Sequence, residues 1–198
     1  MSRRPALGCL LEIVETLVLT LIIFWAIQSF VAQPFRVQQQ SMQHTLEENE
    51  YVLVDKLTPR WDTYKRGDIV VFNPPDSWVQ SATNEPYIKR VIATGGDTVE
   101  IHDGAVFVNG TKLDEPYVYE EDGRPQDTNP LTDVVRWVIP DGQLFLLGDH
   151  RQNSSDSREG GPVDIAAVIG RAWLRYWPIT TLEILPTPGH PELATPSP

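Results

Sequence analysis

Cysteine is nearly absent from this chain: of 198 residues only Cys9 is one, and it lies inside an N-terminal apolar stretch. That excludes an internal disulfide, a cysteine metal cluster and a thiol nucleophile in any soluble domain. Basic residues are scarce beside acidic ones, 16 against 27, for a formal net charge of −11. Such a balance repels phosphate-rich partners, so nucleic acid binding is not expected. The histidines, His44, His102, His150 and His190, are scattered without the H-E-x-x-H spacing of a zinc hydrolase. Asp149, Asn153 and Asp156 lack the alternating register of a calcium loop. No metal or cofactor is expected, no long amphipathic helix is evident beyond residue 40, and no internal repeat is visible.

One long apolar run is present, from Leu7 to Ala32. As a helix it would cover roughly 39 Å at about 1.5 Å per residue, enough for a bilayer. Glu12, Glu15, Thr16, Thr20, Gln28 and Ser29 interrupt it, so hydropathy alone leaves open a span or a cleaved signal sequence. Cleavage after Ala32 would put the bulky Phe30 at the −3 position, where a small side chain is required, so a retained anchor over residues 7–32 is expected. Arg3 and Arg4 then hold residues 1–6 in the cytoplasm, and the chain after residue 33 lies outside, with Trp25, Phe30 and Phe35 near the outer boundary.

Pro34 cannot continue a helix and biases Gln33 away from the α region, so the anchor should end there and feed an extended segment, Phe35–Gln38. Beyond it the punctuation is that of an all-β protein. Short β-branched runs occur at Tyr51–Val54, Ile69–Phe72, Tyr87–Ala93, Thr98–Ile101, Ala105–Val108, Arg136–Ile139 and Gln143–Leu147, separated by Gly, Pro, Asp and Asn. Asn109-Gly110 suits a primed hairpin turn, and Gly95-Gly96-Asp97 supplies positive φ between two strands. Residues 114–135 have little periodicity and read as a long excursion, a small cap within about residues 109–142. The body is expected over residues 33–185, and the proline-rich 186–198 as a disordered tail.

Three polar segments interrupt this pattern. Ser41 follows the anchor exit and, taken alone, reads as part of a polar linker. Lys89 shares a strand face with Tyr87, Val91 and Ala93, while Arg90 shares the other with Ile88 and Ile92. Both faces are apolar, so one cation must be buried. Either Lys89 snorkels to a rim and Arg90 forms an ion pair, or Lys89 is a desolvated, neutral amine. The second requires its pKa to fall a few units from about 10.4, which burial can supply and which arginine cannot match. The third segment, Gly148 to Arg158, is a dense polar loop directly after the apolar Leu144–Leu147, with opposite charges able to pair across a turn.

Together these segments resemble those of bacterial type I signal peptidases. Ser41-Met42-Gln43-His44-Thr45-Leu46 is similar to that family's S-M-x-P-T-L nucleophile box, Tyr87-Ile88-Lys89-Arg90-Val91-Ile92 to its general-base box, and Gly148–Arg158 to G-D-N-R-x-N-S-x-D-S-R. The likeness runs from the anchor to about Pro178. It implies a mainly β protein, a coiled antiparallel β-sheet catalytic domain with one N-terminal transmembrane helix. It also implies a membrane-bound serine endopeptidase that cuts signal peptides from exported preproteins after small residues, beside the bilayer and near the export machinery.

By the same resemblance Ser41 is the nucleophile and Lys89 the neutral general base. Ser154 would orient the Lys89 amine, Asp156 and Arg158 would brace the loop as an ion pair, and Met42 and Tyr87 would contact substrate, with Met42 at the lipid boundary. The Ser41 backbone N–H would be one oxyanion donor, worth roughly 3 kcal/mol. Many relatives place Ser or Gly where this chain has Gln39, whose amide is the candidate second donor. Further departures are His44 in place of the box proline, Gly95 where P-G-D is usual, and His150 in place of Asn. Three rival readings remain: His44 as the base, a tethered β domain that binds without catalysis, and a self-cleaving repressor-type Ser–Lys protease. The last would need a DNA-binding segment, against the anchor and the acidic balance.

Overall fold

In the computed structural model, residues 4–57, 61–76, 78 and 85–193 are described. Helix α1 (Arg4–Phe30) leads directly into a set of short strands. These are β1 (Ala32–Arg36), β2 (Tyr51–Asp55), β3 (Ile69–Phe72), β4 (Tyr87–Thr94), β5 (Thr98–His102), β6 (Ala105–Val108) and β7 (Thr111–Lys112). They continue as β8 (Glu120–Glu121), β9 (Arg124–Pro125), β10 (Arg136–Val138), β11 (Gln143–Leu147), β12 (Val163–Asp164), β13 (Val168–Trp177) and β14 (Glu183–Ile184). The protein is mainly β, as the punctuation of the sequence implied.

The larger sheet runs β1-β2-β13-β3-β4-β11-β12, antiparallel throughout, with β14 on β13; the smaller runs β10-β5-β6-β7. Each of the seven runs named from sequence overlaps a strand of similar extent. Besides the two-residue strands β7, β8, β9, β12 and β14, the sequence missed β13, the longest of all and the link between β2 and β3. Its register shifts against both neighbours, between Val168 and Gly170, between Ala172 and Leu174, and between Arg175 and Trp177. Each bulge resets the period of two and bends the strand, so the sheet coils and no alternation survives in the sequence.

A similar shift corrects the assignment of faces on β4. Between the pairs Phe145–Ala93 and Leu146–Val91 the register skips Ile92. Tyr87 and Val91 therefore pack in one cluster with Phe72, Trp78 and Leu146, whereas Ile92 and Ala93 both join the cluster formed with the smaller sheet. The short β3 is buried on both faces. Ile69 and Val71 join Met42, Leu46, Val52 and Val54, while Val70 and Phe72 face the Trp78 cluster. Burial of such aliphatic side chains contributes about 1.5–3 kcal/mol each.

Several expectations at the chain ends change. The helix stops at Phe30, before Pro34, and Pro34 lies within β1. This is tolerated because, among the described residues, β1 pairs only with β2 and its outer edge has no strand partner. No residue of α1 from Gly8 to Phe30 is buried, and this stretch, with a mean hydropathy of 2.3, is long and apolar enough to cross a membrane. At the other end, residues 187–193 lie against the body, where a disordered tail was expected. Thr187 Oγ1 donates to Asp68 at 3.1 Å, Asp114 N donates to Glu192 at 3.1 Å, and Leu193 packs on the smaller sheet's core. The remaining tail residues, 194–198, fall outside the described residues.

The excursion is also tied down: Tyr117 and Val118 enter the core, and Tyr119 N donates to Asp149 O. At the Asn109-Gly110 turn both residues have positive φ, as a primed hairpin needs. On β13, a Cβ on Gly170 would lie 2.3 Å from the backbone oxygen of Asp55. Gly170→Ala should therefore push β13 off β2 and destabilise the protein by about 1–3 kcal/mol, read as a lowered urea midpoint with unchanged slope.

Candidate active site

Strand β1 ends at Arg36 and the chain turns through a single 3-10 turn, Gln40–Met42, entered from an extended Gln39. Met42 is fully buried in the cluster with Leu46, Val52 and Val54, and this fastens the turn to the sheet. The expected place for Met42 at the lipid boundary is thus corrected, since a side chain with no exposure reaches neither lipid nor solvent. Ser41, beside it, is 4 % exposed. Lys89 comes from the middle of β4, and its Nζ donates to Ser41 Oγ at 2.6 Å and to Ile88 O at 3.1 Å.

Both neighbouring cations of β4 are buried, where the sequence required only one. Arg90 has a dedicated counter-ion: Nε and Nη2 grip Asp149 at 2.9 and 2.7 Å, and the guanidinium lies 4.0 Å from the Tyr117 ring centroid. Burial opposes its charge, but Asp149 outweighs that and holds its pKa above the ordinary value. Lys89 has no carboxylate in direct contact. Burial pulls its amine down to about 8, with the charges of Asp156 and Asp149 opposing and Arg158 adding to the shift. A neutral amine hydrogen-bonded to a hydroxyl can accept its proton.

Asp149 also accepts from Thr45 Oγ1 at 2.6 Å, so one carboxylate joins the Ser41 turn, β4 and the Gly148–Arg158 loop. His150 N donates to Ser41 O at 3.0 Å, a second tie between loop and turn. Gly148 permits this approach: a Cβ there would stand 2.3 Å from Ser154 Oγ and 2.5 Å from Ser41 O. Asp156 and Arg158 form the pair expected of them, with Nε and Nη2 donating to the two carboxylate oxygens at 2.8 and 2.9 Å. Burial pushes the Asp156 carboxyl up, but Arg158 outweighs it, and the group lies below the usual range. Arg151 binds Glu115 of the excursion at 3.0 and 2.6 Å, and also Thr128.

The other predicted positions fall as follows. Ser154 Oγ is buried without a well-formed hydrogen bond, close enough to Asp156 to help hold that carboxyl down. The second partner of the Lys89 amine is instead the Ile88 carbonyl. Tyr87 is 3 % exposed, packs against Phe72 and Trp78, and has its ring centroid 5.3 Å from the Lys89 amine, so it backs the pair from within the core. Gln39 is exposed and makes no side-chain capping bond to the turn. His44 has φ 87° and its Nδ1 is 3.0 Å from Val118 O, so that ring nitrogen faces the excursion. Sequence reasoning missed Arg175, whose Nη1 donates to Thr45 O at 3.1 Å and to Glu50 at 3.2 Å. It lies on β13, a strand the sequence did not show, so no signal marked it.

Two concavities adjoin the turn. One, of about 170 Å³, is walled by the apolar Val37, Val52, Val71 and Ile88 and by the charged Arg36 and Glu85. The other, of about 520 Å³, is polar and includes Ser41 itself.

The comparisons with known proteins define a class first, that of the peptidases. A family model described as "Signal peptidase, peptidase S26" matches residues 10–177. "Probable signal peptidase I-2" of Synechocystis sp. is 35 % identical, over 93 % of this chain and 81 % of that protein. "Signal peptidase I" of Leptolyngbya laminosa is 35 % identical over 96 % and 91 %, and "Signal peptidase I P" of Bacillus subtilis subsp. natto 32 % over 86 % and 90 %. A crystal structure of a signal peptidase I from Enterococcus faecalis V583 covers 56 % of this chain and 97 % of that one, at 30 % identity and a TM-score of 0.41, an overlap too loose to carry an argument. The chain belongs to the signal peptidase family, peptidase S26, enzymes of the serine protease class.

Replacing Arg90 by Met would leave Asp149 buried and without its cation. Arg90→Met should cost about 3–5 kcal/mol of stability, read from denaturant unfolding.

Proposed function

We propose that this enzyme cleaves signal peptides from exported preproteins after small residues of the A-x-A type, with Ser41 as nucleophile and Lys89 as general base. The observation that carries the reading is the 2.6 Å contact between a hydroxyl and an amine that are both almost fully buried, with no carboxylate bound to the amine. The self-cleaving and purely binding readings have no comparable support.

The chemistry follows from the protonation states. With a pKa of about 8, roughly a tenth of the free enzyme carries a neutral amine at pH 7. A bound peptide that displaces water raises that fraction, because burial disfavours the charged form. The neutral amine takes the Ser41 proton as Oγ attacks the scissile carbonyl. The oxyanion that develops accepts from the Ser41 backbone N–H, with the Gln39 amide as the candidate second donor. The ammonium then returns its proton to the leaving amine, and water, deprotonated by the same lysine, hydrolyses the acyl-enzyme. Ser154, beside Asp156, is placed to order the third segment behind the amine; Asp156 and Arg158 hold that segment in register.

Substrate geometry follows from the free edge of β1, which can take an extended peptide as an added strand. The small cavity beside that edge, whose apolar part is formed by Val37, Val52, Val71 and Ile88, suits the small side chains that precede the scissile bond. Helix α1 would confine enzyme and membrane-held preprotein to one surface, with Arg3 and Arg4 cytoplasmic and the catalytic body outside, near the export machinery.

Ser41→Ala and Lys89→Ala should each abolish cleavage of a preprotein at its A-x-A site while leaving the unfolding transition in place. Retained activity in either variant would exclude the assigned pair. For the intact enzyme, kcat/KM should rise about tenfold per pH unit on the acid side and level off above about 8, since the working amine is the deprotonated one. A profile flat between pH 6 and pH 9 would contradict a titrating lysine.

A further inference from the structure

Ser41 lines the larger of two cavities, which share only Gln38 and Gln39 in their walls. If the residues before the scissile bond fill the smaller one, the chain after the bond has to run into the other, a space about three times larger, 520 against 170 Å³. Every side chain in its wall is polar. Gln40 and Asn153 bridge it through a 3.2 Å hydrogen bond, and Ser154 Oγ is buried there without a well-formed bond. The only charges in the wall are carboxylates, those of Glu48 and Glu159, and neither is in an ion pair among the described residues. Ser155 Oγ donates to Glu159 at 2.9 Å and so fixes one of them. The net charge of −11 adds a background field of the same sign.

We propose that this cleft receives the first residues of the mature chain, and that Glu48 and Glu159 make it select basic or neutral residues there and reject acidic ones. The proposal rests on the cleavage reading above and adds to it a specificity on the far side of the bond. Its physical basis is two solvent-exposed carboxylates in the wall of one cleft, which repel a further negative charge and attract a positive one across a distance that salt screens. The polar wall supplies donors and acceptors for the backbone of a segment whose side chains vary from one exported protein to the next.

The test uses three peptides, identical up to the scissile bond and differing only at the second and third residues after it, which are Lys, Gln or Glu. The full-length enzyme in detergent should give kcat/KM in the order Lys, Gln, Glu, with about tenfold between the extremes at low salt and less at high salt. In the double variant Glu48→Gln/Glu159→Gln the Lys-to-Glu ratio should fall toward one. A control with two acids removed elsewhere, Asp103→Asn/Asp133→Asn, should keep the wild-type ratio. Equal rates in the wild type, a ratio that survives in the double variant, or an equal collapse in the control would each overturn the proposal. Failure to cut any of the three peptides would instead overturn the cleavage reading, and this proposal with it.

Discussion

Two adjacent cations are buried in one β-strand, and only one of them is given a counter-ion. Arg90 takes Asp149, a fully buried carboxylate, in a two-pronged contact. Lys89 is left with a hydroxyl and a carbonyl, neither of which compensates a full charge. Burial then favours the neutral amine, because removing a charge from water costs far more than removing a dipole. Placing arginine and lysine in the opposite order would not work, since a guanidinium does not give up its proton.

This arrangement needs scaffolding, and the ion pairs supply it. Asp149 reaches Thr45 as well as Arg90, and so holds the Ser41 turn at a fixed distance from β4. Asp156 with Arg158, and Arg151 with Glu115, fix the loop that carries Asp149. Buried pairs of this kind contribute little net stability, as desolvation offsets attraction, but losing one partner is costly. Their effect is positional: they keep three distant segments in register around one hydroxyl. The excursion takes part, for Glu115 and Thr128 lie in a stretch whose sequence carries no chemical signal.

The curl of the sheet positions the pair with respect to substrate. Bulges along β13 and at Ile92 coil the larger sheet. Strand β1 leaves the apolar helix as an edge whose outer side has no strand partner among the described residues, and the Ser41 turn follows at its end. The helix that suits a bilayer and the edge that suits a peptide are therefore joined without an intervening linker.

The sequence by itself determined the β character, seven of the strands and the apolar helix, because these depend on local period, β-branching and turn residues. It also brought Ser41, Lys89 and the Gly148–Arg158 segment forward, through their resemblance to one family. It did not show β13, whose bulges erase alternation, or Arg175 upon it. Nor did it show the docking of residues 187–193, since a proline-rich composition describes the isolated chain and not the surface it meets. Which of two neighbouring cations is compensated was also beyond it: both lie on apolar faces by period, and only the long-range pairing that brings Asp149 to Arg90 separates them. Charge state depends on through-space neighbours and exclusion of water, quantities that a linear order of residues does not contain and that tertiary packing alone fixes.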